Sequence, residues 1–388
     1  MKIRGRVLVL AVSMPIIAFA VIGGFMSKAM AREDSYQYLR IFEDVVSLIL
    51  NNYVEEVNVD KVMHGAMHGL ADGLDPDSAY LDAAQVKTLD KGDSLAAGQT
   101  GLEITRQYYL RVIAARDGSP AAKAGLMPGD YIRAIDGQST RDTTVYEGQR
   151  LLRGKPGTKV RLTVLRGNAV EPHEIDLVRE DLPALAVKSR MAGASVGYVR
   201  VAEFGKNTAE QIKSEIASVQ KSGAKGVVID LRGTAFGDVD TGLAAARLFV
   251  KSGVLAYRQD RGKEKEAINA ATGDGAITVS TVLLTDNGTS NGAEVFAAAL
   301  SGNKRAQLIG ERTLGRAAHQ KLVRLPDGGA LMLTHLIYLT PASVAIHEKG
   351  LAPDVAVQQP EIDFGQPQPT ADATLDKAIA TLTAKAAA

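Results

Sequence analysis

Hydrophobic patterning along the chain passes through distinct regimes. Val7 to Met26 is an uncharged, largely apolar run behind Lys2, Arg4 and Arg6. Helical spacing follows: Leu39, Phe42, Val45, Val46, Ile49 and Leu50 form a stripe, and a second helix is predicted around Val62 to Leu74. From about residue 96 the pattern becomes short strands punctuated by turn glycines. Val160 to Leu165 alternates as a strand behind a helix over Thr144 to Leu152. Beyond Val187, apolar strands alternate with helices. Gly226 to Arg232 and Val282 to Thr285 read as buried strands, and Thr208 to Ser222 and Ala293 to Leu300 as helices. Gln307 to Ile309 adds a strand, Pro326 to Leu331 a hairpin, and Leu333-Thr334 and Tyr338 to Pro341 a strand and its exit. A Pro/Gln-rich connector begins at Gln358, and Ala371 to Ala388 has the content of a terminal helix. This succession predicts an α/β multi-domain chain divided into residues 1–31, 32–90, 91–182, 183–360 and 361–388.

The first segment decides the compartment. Its length suits a bilayer span, and the positive charges ahead of it favour a cytoplasmic N-terminus with the body outside, in the periplasm or its equivalent. Ala29-Met30-Ala31 has the form of a signal-peptidase site, so secretion after cleavage is the alternative. The run exceeds a usual signal h-region, which favours an uncleaved single-pass anchor. A formal net charge of +1 gives no electrostatic case for nucleic acid. Cysteine is absent, which excludes disulfides and thiol catalysis. His64 and His68 lie four apart on one helical face, but no third ligand accompanies them, so no metal and no cofactor is expected.

The candidate chemistry lies in residues 281–320. The strand ending at Thr285 is closed by Asp286, Asn287 and Gly288, and a small-residue corner, Thr289-Ser290-Asn291-Gly292, opens the next helix. Strand, tight turn and helix build a nucleophile elbow, with one side chain projecting free at the corner. Gly310-Glu311-Arg312-Thr313-Leu314-Gly315-Arg316 and then Gln320 follow the next strand.

These runs resemble the carboxyl-terminal processing (tail-specific) proteases, the S41 serine peptidases, whose core is ClpP/crotonase-like. In that family the corner reads SASASE with the middle serine as nucleophile. The second motif reads GERTFGKGxxQ, with lysine as general base and glutamine orienting it. Leu74 to Leu81 resembles the family's LDPHSSYL, and Val196 to Val201 its IGYIRI strand. Residues 96–168 resemble a PDZ domain: Gly98-Gln99-Thr100-Gly101-Leu102-Glu103-Ile104 stands at the carboxylate-binding loop, followed by the Gly118 to Ala122 and Gly125 to Ile132 runs. The resemblance implies capture of protein C-terminal peptides as an added strand.

Anchored on Glu294 and Gly310 to Thr313, the nucleophile position falls on Asn291, the base position on Arg316 and the orienting glutamine on Gln320. Asparagine has no hydroxyl with which to form an acyl-enzyme, and arginine stays protonated. Where the family reads NxPGG after its Asp-Leu-Arg strand, this chain has Gly233-Thr234-Ala235-Phe236-Gly237, so Gly237 keeps the oxyanion-hole position while Phe236 takes a glycine place. The expectation is a pseudoprotease whose partners are C-terminal peptides and, in regulation, an active S41 protease or a second copy. A polar plug of Asn291 and Arg316 is expected in the cleft. The alternative is an active endopeptidase with Ser290 as a shifted nucleophile, for which Lys304 and Lys321 are the nearest lysines, and His319 and His347 the candidate substitute bases.

Overall fold

The computed structural model describes residues 36–91, 96–167, 171–360, 362–366 and 369–387. The predicted anchor and cleavage site lie outside them. Contacts divide the chain into two units, Met1–Met67 and His68–Ala388. In the first, α1 spans residues 36–52 and leads towards α2 (Val59–Asp72), which runs across the division. The stripe foreseen on α1 is present but uncovered: Leu39, Phe42, Val45, Ile49 and Leu50 are all exposed. Helical spacing identifies an apolar face, not what covers it.

The second unit continues with β1 (Ala79–Leu81) and α3 (Ala83–Asp90). Residues 32–90 read as helical in sequence, yet β1 is a buried strand that pairs with a strand of the core some 250 positions on. The next module is a sheet of β2 (Leu102–Gln107), β3 (Tyr109–Ala115), β4 (Tyr131–Ile135), β5 (Gln138–Ser139), β6 (Lys159–Leu165) and β7 (His173–Val178) in the order β2-β3-β4-β6-β7, with β5 paired to β4. Helix α4 (Pro120–Lys123) starts with Ser119 accepting from the Ala122 N–H and proline at the first helical position. Helix α5 (Val145–Leu152) starts with a Thr144–Glu147 capping box. It lies so close to β2 and β3 that a Cβ at Gly148 would fall 2.5 Å from Leu110 Cδ1 and 2.8 Å from Ile104 Cδ1.

The core comprises β8 (Lys188–Met191), β9 (Val196–Arg200), β10 (Glu203–Phe204), α6 (Thr208–Lys221), β11 (Gly226–Asp230), β12 (Phe236–Gly237), α7 (Val239–Ala246), β13 (Val254–Asp260), β14 (Glu266–Asn269), β15 (Ser280–Thr285), α8 (Gly292–Gly302), β16 (Ala306–Gly310), β17 (Ala318–Arg324), β18 (Ala330–Leu339), β19 (Val355–Ala356) and α9 (Ala373–Ala387). The main sheet runs β19-β16-β15-β11-β9-β8, parallel except for β8. Both its faces are covered, which is why β11 reads as an unbroken apolar run. On one face, Val227, Ile229 and Leu283 pack with α6, α7 and α8, where Phe296 meets Phe204 and Phe249. On the other, Val228, Val282, Leu284 and Ile309 pack beneath Leu375, Ala378 and Leu382 of α9. The terminal helix is therefore half of the core's cover. A second sheet, β1-β18-β13-β14 with β17 on β18, flanks it.

Candidate functional site

Because β11, β15 and β16 are parallel, the loops after them emerge at one edge of the sheet and meet there. Leu231 N–H donates to Leu284 O, Ser290 N–H to Thr234 O, Leu314 N–H to Thr289 O and Asn291 N–H to Arg316 O, all at 3.0 Å. Thr289 Oγ1 donates to Leu231 O at 2.9 Å. The corner is Asn291, at φ 53° and ψ −125°. A positive φ is costly for any residue with a Cβ, and at this ψ Asn291 lies outside the left-handed helical well that asparagine tolerates. The elbow is thus kept in its bent form. Its amide Nδ2 donates to Ala235 O at 2.9 Å, tying the corner to the loop after β11. Gly292 is obligatory behind it, since a Cβ there would lie 2.3 Å from Asp238 O.

Arg316 enters the same space, but its guanidinium is held by acids from two other segments. Nε donates to Asp77 Oδ2 at 3.0 Å, Nη2 pairs with Asp77 Oδ1 at 2.9 Å, and Nη1 donates to Glu103 Oε1 at 2.6 Å. Nη1 also lies 3.5 Å from Ile104 O. Burial works against the charge, but the Asp77 and Glu103 carboxylates outweigh it and hold Arg316 above its usual pKa. On Glu103 the balance goes the other way: burial raises its pKa although Arg316 opposes the rise. Arg316 therefore joins the sheet edge to strand β2 of the neighbouring module. The ion-pair cluster here is Arg316 with Asp77 and Glu103. Asn291 and Arg316 share a main-chain bond, but their side chains go to different partners.

Beneath the corner is Glu294, fully buried on α8. Its carboxylate accepts from Thr313 Oγ1 at 2.5 Å, Gly315 N–H at 2.6 Å and Arg316 N–H at 2.7 Å. Burial pushes its pKa up to about 7 against these donors. Glu294 is what fixes the Gly310 to Arg316 loop to the elbow helix.

Gln320 lies on β17 and its Nε2 donates to Thr334 Oγ1 at 3.1 Å rather than to Arg316. Gly237 has φ 107°, and a Cβ there would sit 2.0 Å from Phe204 O. The glycine requirement expected at Phe236 belongs instead to Gly233, at φ 62°, and Gly237. Phe236 is not a positive-φ residue; its ring packs with Ile113, Ala114, Ala235 and Leu314. Ser290 is 1% exposed, and its Oγ has no hydrogen-bond partner among the described residues. Lys304 lies beyond the far end of the 11-residue α8, about 16 Å from the corner at helical rise. Lys321 is exposed on β17. His319 contacts Tyr338, Nε2 to OH at 3.1 Å, and the buried ring nitrogens of His347 have no partner among the described residues.

In the neighbouring module β2 is an edge strand, paired among the described residues only with β3. Within the loop before it, the Gly98 N–H goes to Gly154 O at 2.9 Å and the Gln99 N–H to Glu180 O at 2.8 Å, so neither is free for a ligand carboxylate. Thr100 is buried and Gly101, at φ 80°, abuts Ser119. Leu102 and Ile104 are buried in the module's own core, and Glu103 turns to Arg316. The module is seated on the sheet edge by Arg116–Glu203 at 2.5 Å and Arg200–Asp117 at 2.8 Å. Sequence reasoning passed over Asp77 and Glu294 as site residues. The signal for Asp77 was available: it stands where the LDPHSSYL segment has histidine, one acid gained alongside one arginine.

Comparison with known proteins agrees with this architecture. The Peptidase family S41 model matches residues 195–357, a PDZ domain model residues 111–166, and the "Activating protease CtpB N-terminal domain" model residues 23–85. The chain is 30% identical over 360 residues to a carboxy-terminal-processing protease of Bartonella bacilliformis, covering 89% of this chain and 83% of the relative. It is 32% identical to the carboxy-terminal processing protease CtpA of Bacillus subtilis, covering 81% of this chain and 67% of that one. Among solved structures, the photosystem II D1 C-terminal processing protease superposes with a TM-score of 0.67 at 28% identity, over 80% of this chain and 85% of that one. With a parallel-sheet elbow, a PDZ module seated over it and relatives matched along most of their length, this chain belongs to the carboxyl-terminal processing proteases of peptidase family S41.

Proposed function

We propose that this chain is an exported, membrane-anchored member of the family that holds C-terminal peptides through its PDZ domain and does not hydrolyse them. The observation that carries the reading is the state of the corner. Asn291 stands at the elbow with its amide committed to Ala235 O, and Arg316 is a half-buried cation committed to two carboxylates. Neither group can attack a carbonyl or accept a proton. The edge position of β2 supports peptide addition, since among the described residues its outer side carries no strand. The basic N-terminus and apolar run support the anchor. In this role the protein captures protein C-termini for an active S41 relative, or assembles with a second copy. Against an endopeptidase using Ser290 stand its burial and the absence of a lysine from the corner.

The test is titration of the purified protein with fluorescent peptides that end in a free carboxylate or a carboxamide, followed by mass spectrometry of the peptide. The reading expects binding that needs the carboxylate and peptide recovered intact. Peptide recovered cut would overturn it, and so would indifference to the terminal carboxylate.

A further inference from the structure

The corner carries a second chemistry that needs no substrate. Asn291 is followed by Gly292, and an asparagine side chain can be attacked by the main-chain nitrogen of the residue after it. The reaction is limited by geometry: the side-chain Cγ must be brought over that nitrogen, and the nitrogen must be free of other bonds. Asn291 meets the main-chain part of the first condition through its ψ of −125°. Substituents on Cα are spaced by about 120°, so a ψ near that magnitude and sign, as at the first central residue of a type II′ turn, nearly eclipses Cβ with the next nitrogen. Most asparagines in strands and helices lie far from this rotation. Here the elbow imposes it.

The second condition is met as well. Gly292 is the first residue of α8, so its N–H has no intrahelical partner, and it donates to no described residue. Gly292 is buried but has no side chain of its own over the nitrogen, and the glycine cannot be exchanged because of Asp238 O.

We propose that Asn291 is a spontaneous deamidation site activated by the elbow itself. The Gly292 nitrogen forms a bond to Asn291 Cγ, the Cγ–Nδ2 bond breaks, and the displaced nitrogen takes the Gly292 proton and leaves as ammonia. The resulting five-membered imide is opened by water. Opening at Cγ gives aspartate, and opening at the main-chain carbonyl gives an isoaspartyl linkage; no oxidant or reductant takes part. Either product replaces the Nδ2 donor to Ala235 O with a carboxylate that only accepts. The tie between the corner and the loop after β11 is lost, and the cleft gains a negative charge.

The chain supplies its own control. Asn287-Gly288 is the same residue pair four positions earlier, and Asn287 is the more exposed of the two asparagines. Its following nitrogen is occupied, however, with Gly288 N–H donating to Asp286 Oδ1 at 3.0 Å. Sequence and exposure alone would make Asn287 at least as reactive.

The experiment ages the full-length protein at mildly alkaline pH in heavy-oxygen water, folded and in parallel in denaturant, and maps both sites by fragment-ion mass spectrometry. The expected result is a ratio of conversion at Asn291 to conversion at Asn287 that is several-fold larger in the folded protein than in the denatured chain. A folded ratio equal to or below the denatured one overturns the proposal. Asn291→Gln, whose longer side chain would have to close a larger ring, should abolish the acidic species assigned to this position. Persistence of that species would also overturn the assignment.

Discussion

Replacing Arg316 with alanine removes one cation from between two carboxylates, and its consequence can be worked out from the geometry. The Arg316, Asp77 and Glu103 side chains are 19%, 5% and 19% exposed, so water cannot replace the lost partner fully. Removing one member of a buried pair costs about 3–5 kcal/mol, because the remaining charge is left uncompensated. Here two acids are left facing each other. Glu103 already has its pKa raised by burial, and losing the guanidinium raises it further. A carboxyl whose folded pKa is raised loses stability as pH climbs through the window between its unfolded and folded values. The penalty of Arg316→Ala should therefore be larger at mildly alkaline than at mildly acidic pH. Because Glu103 and Ile104 lie on β2, the loss should appear as loosening of the PDZ module on the core. Hydrogen exchange across β2 and the Phe236–Ile113 contact would read this directly, alongside denaturant unfolding. Adding Glu103→Gln should restore part of the loss, with a coupling of about 1–3 kcal/mol in a double-mutant cycle. Unchanged exchange in β2, with a stability change within about 0.5 kcal/mol as for an ordinary surface substitution, would refute the reasoning.

Glu294, with a pKa of about 7 against an ordinary 4.5, should make the core less stable as pH rises across that interval. The loss should be on the order of 3 kcal/mol, and Glu294→Gln should flatten the profile measured by denaturant titration. Gly101→Ala should abolish peptide capture, since the φ is 80° and the added Cβ would lie 2.2 Å from Ser119 Cβ; anisotropy titration checks it. Leu382→Ala on α9 should cost about 2–5 kcal/mol, because Leu382 fills the space beside Gly226 under the sheet; the change in unfolding midpoint reads it.

Much of the fold could be read from local pattern. β11 and β15 are visible because both faces are covered, so nothing interrupts the apolar run. The starts of α4 and α5 are visible because capping is a matter of residues within one turn. What could not be read is what depends on distant partners. Nothing near Ala79 shows that it pairs with Met332, and nothing near Phe364 shows that it stacks on His173 at 4.6 Å beneath the Arg166 guanidinium. Arg316 was legible as a substitution but not as a link, since its acids lie 239 and 213 positions earlier. Phe236 misled for a related reason. A motif gap counts residues, whereas the left-handed conformations are distributed by how the loop turns, and here they fall on Gly233 and Gly237.

The central claim is that the corner holds no working nucleophile or base. The most direct measurement is turnover of an unstructured protein by the wild type, beside Ser290→Ala and the double variant Asn291→Ser/Arg316→Lys. The account predicts no product from wild type or Ser290→Ala, and product from the double variant once Asp77→His is added, because an amine between Asp77 and Glu103 stays protonated. Turnover by the wild type that Ser290→Ala abolishes would contradict it, and would make Ser290 the nucleophile.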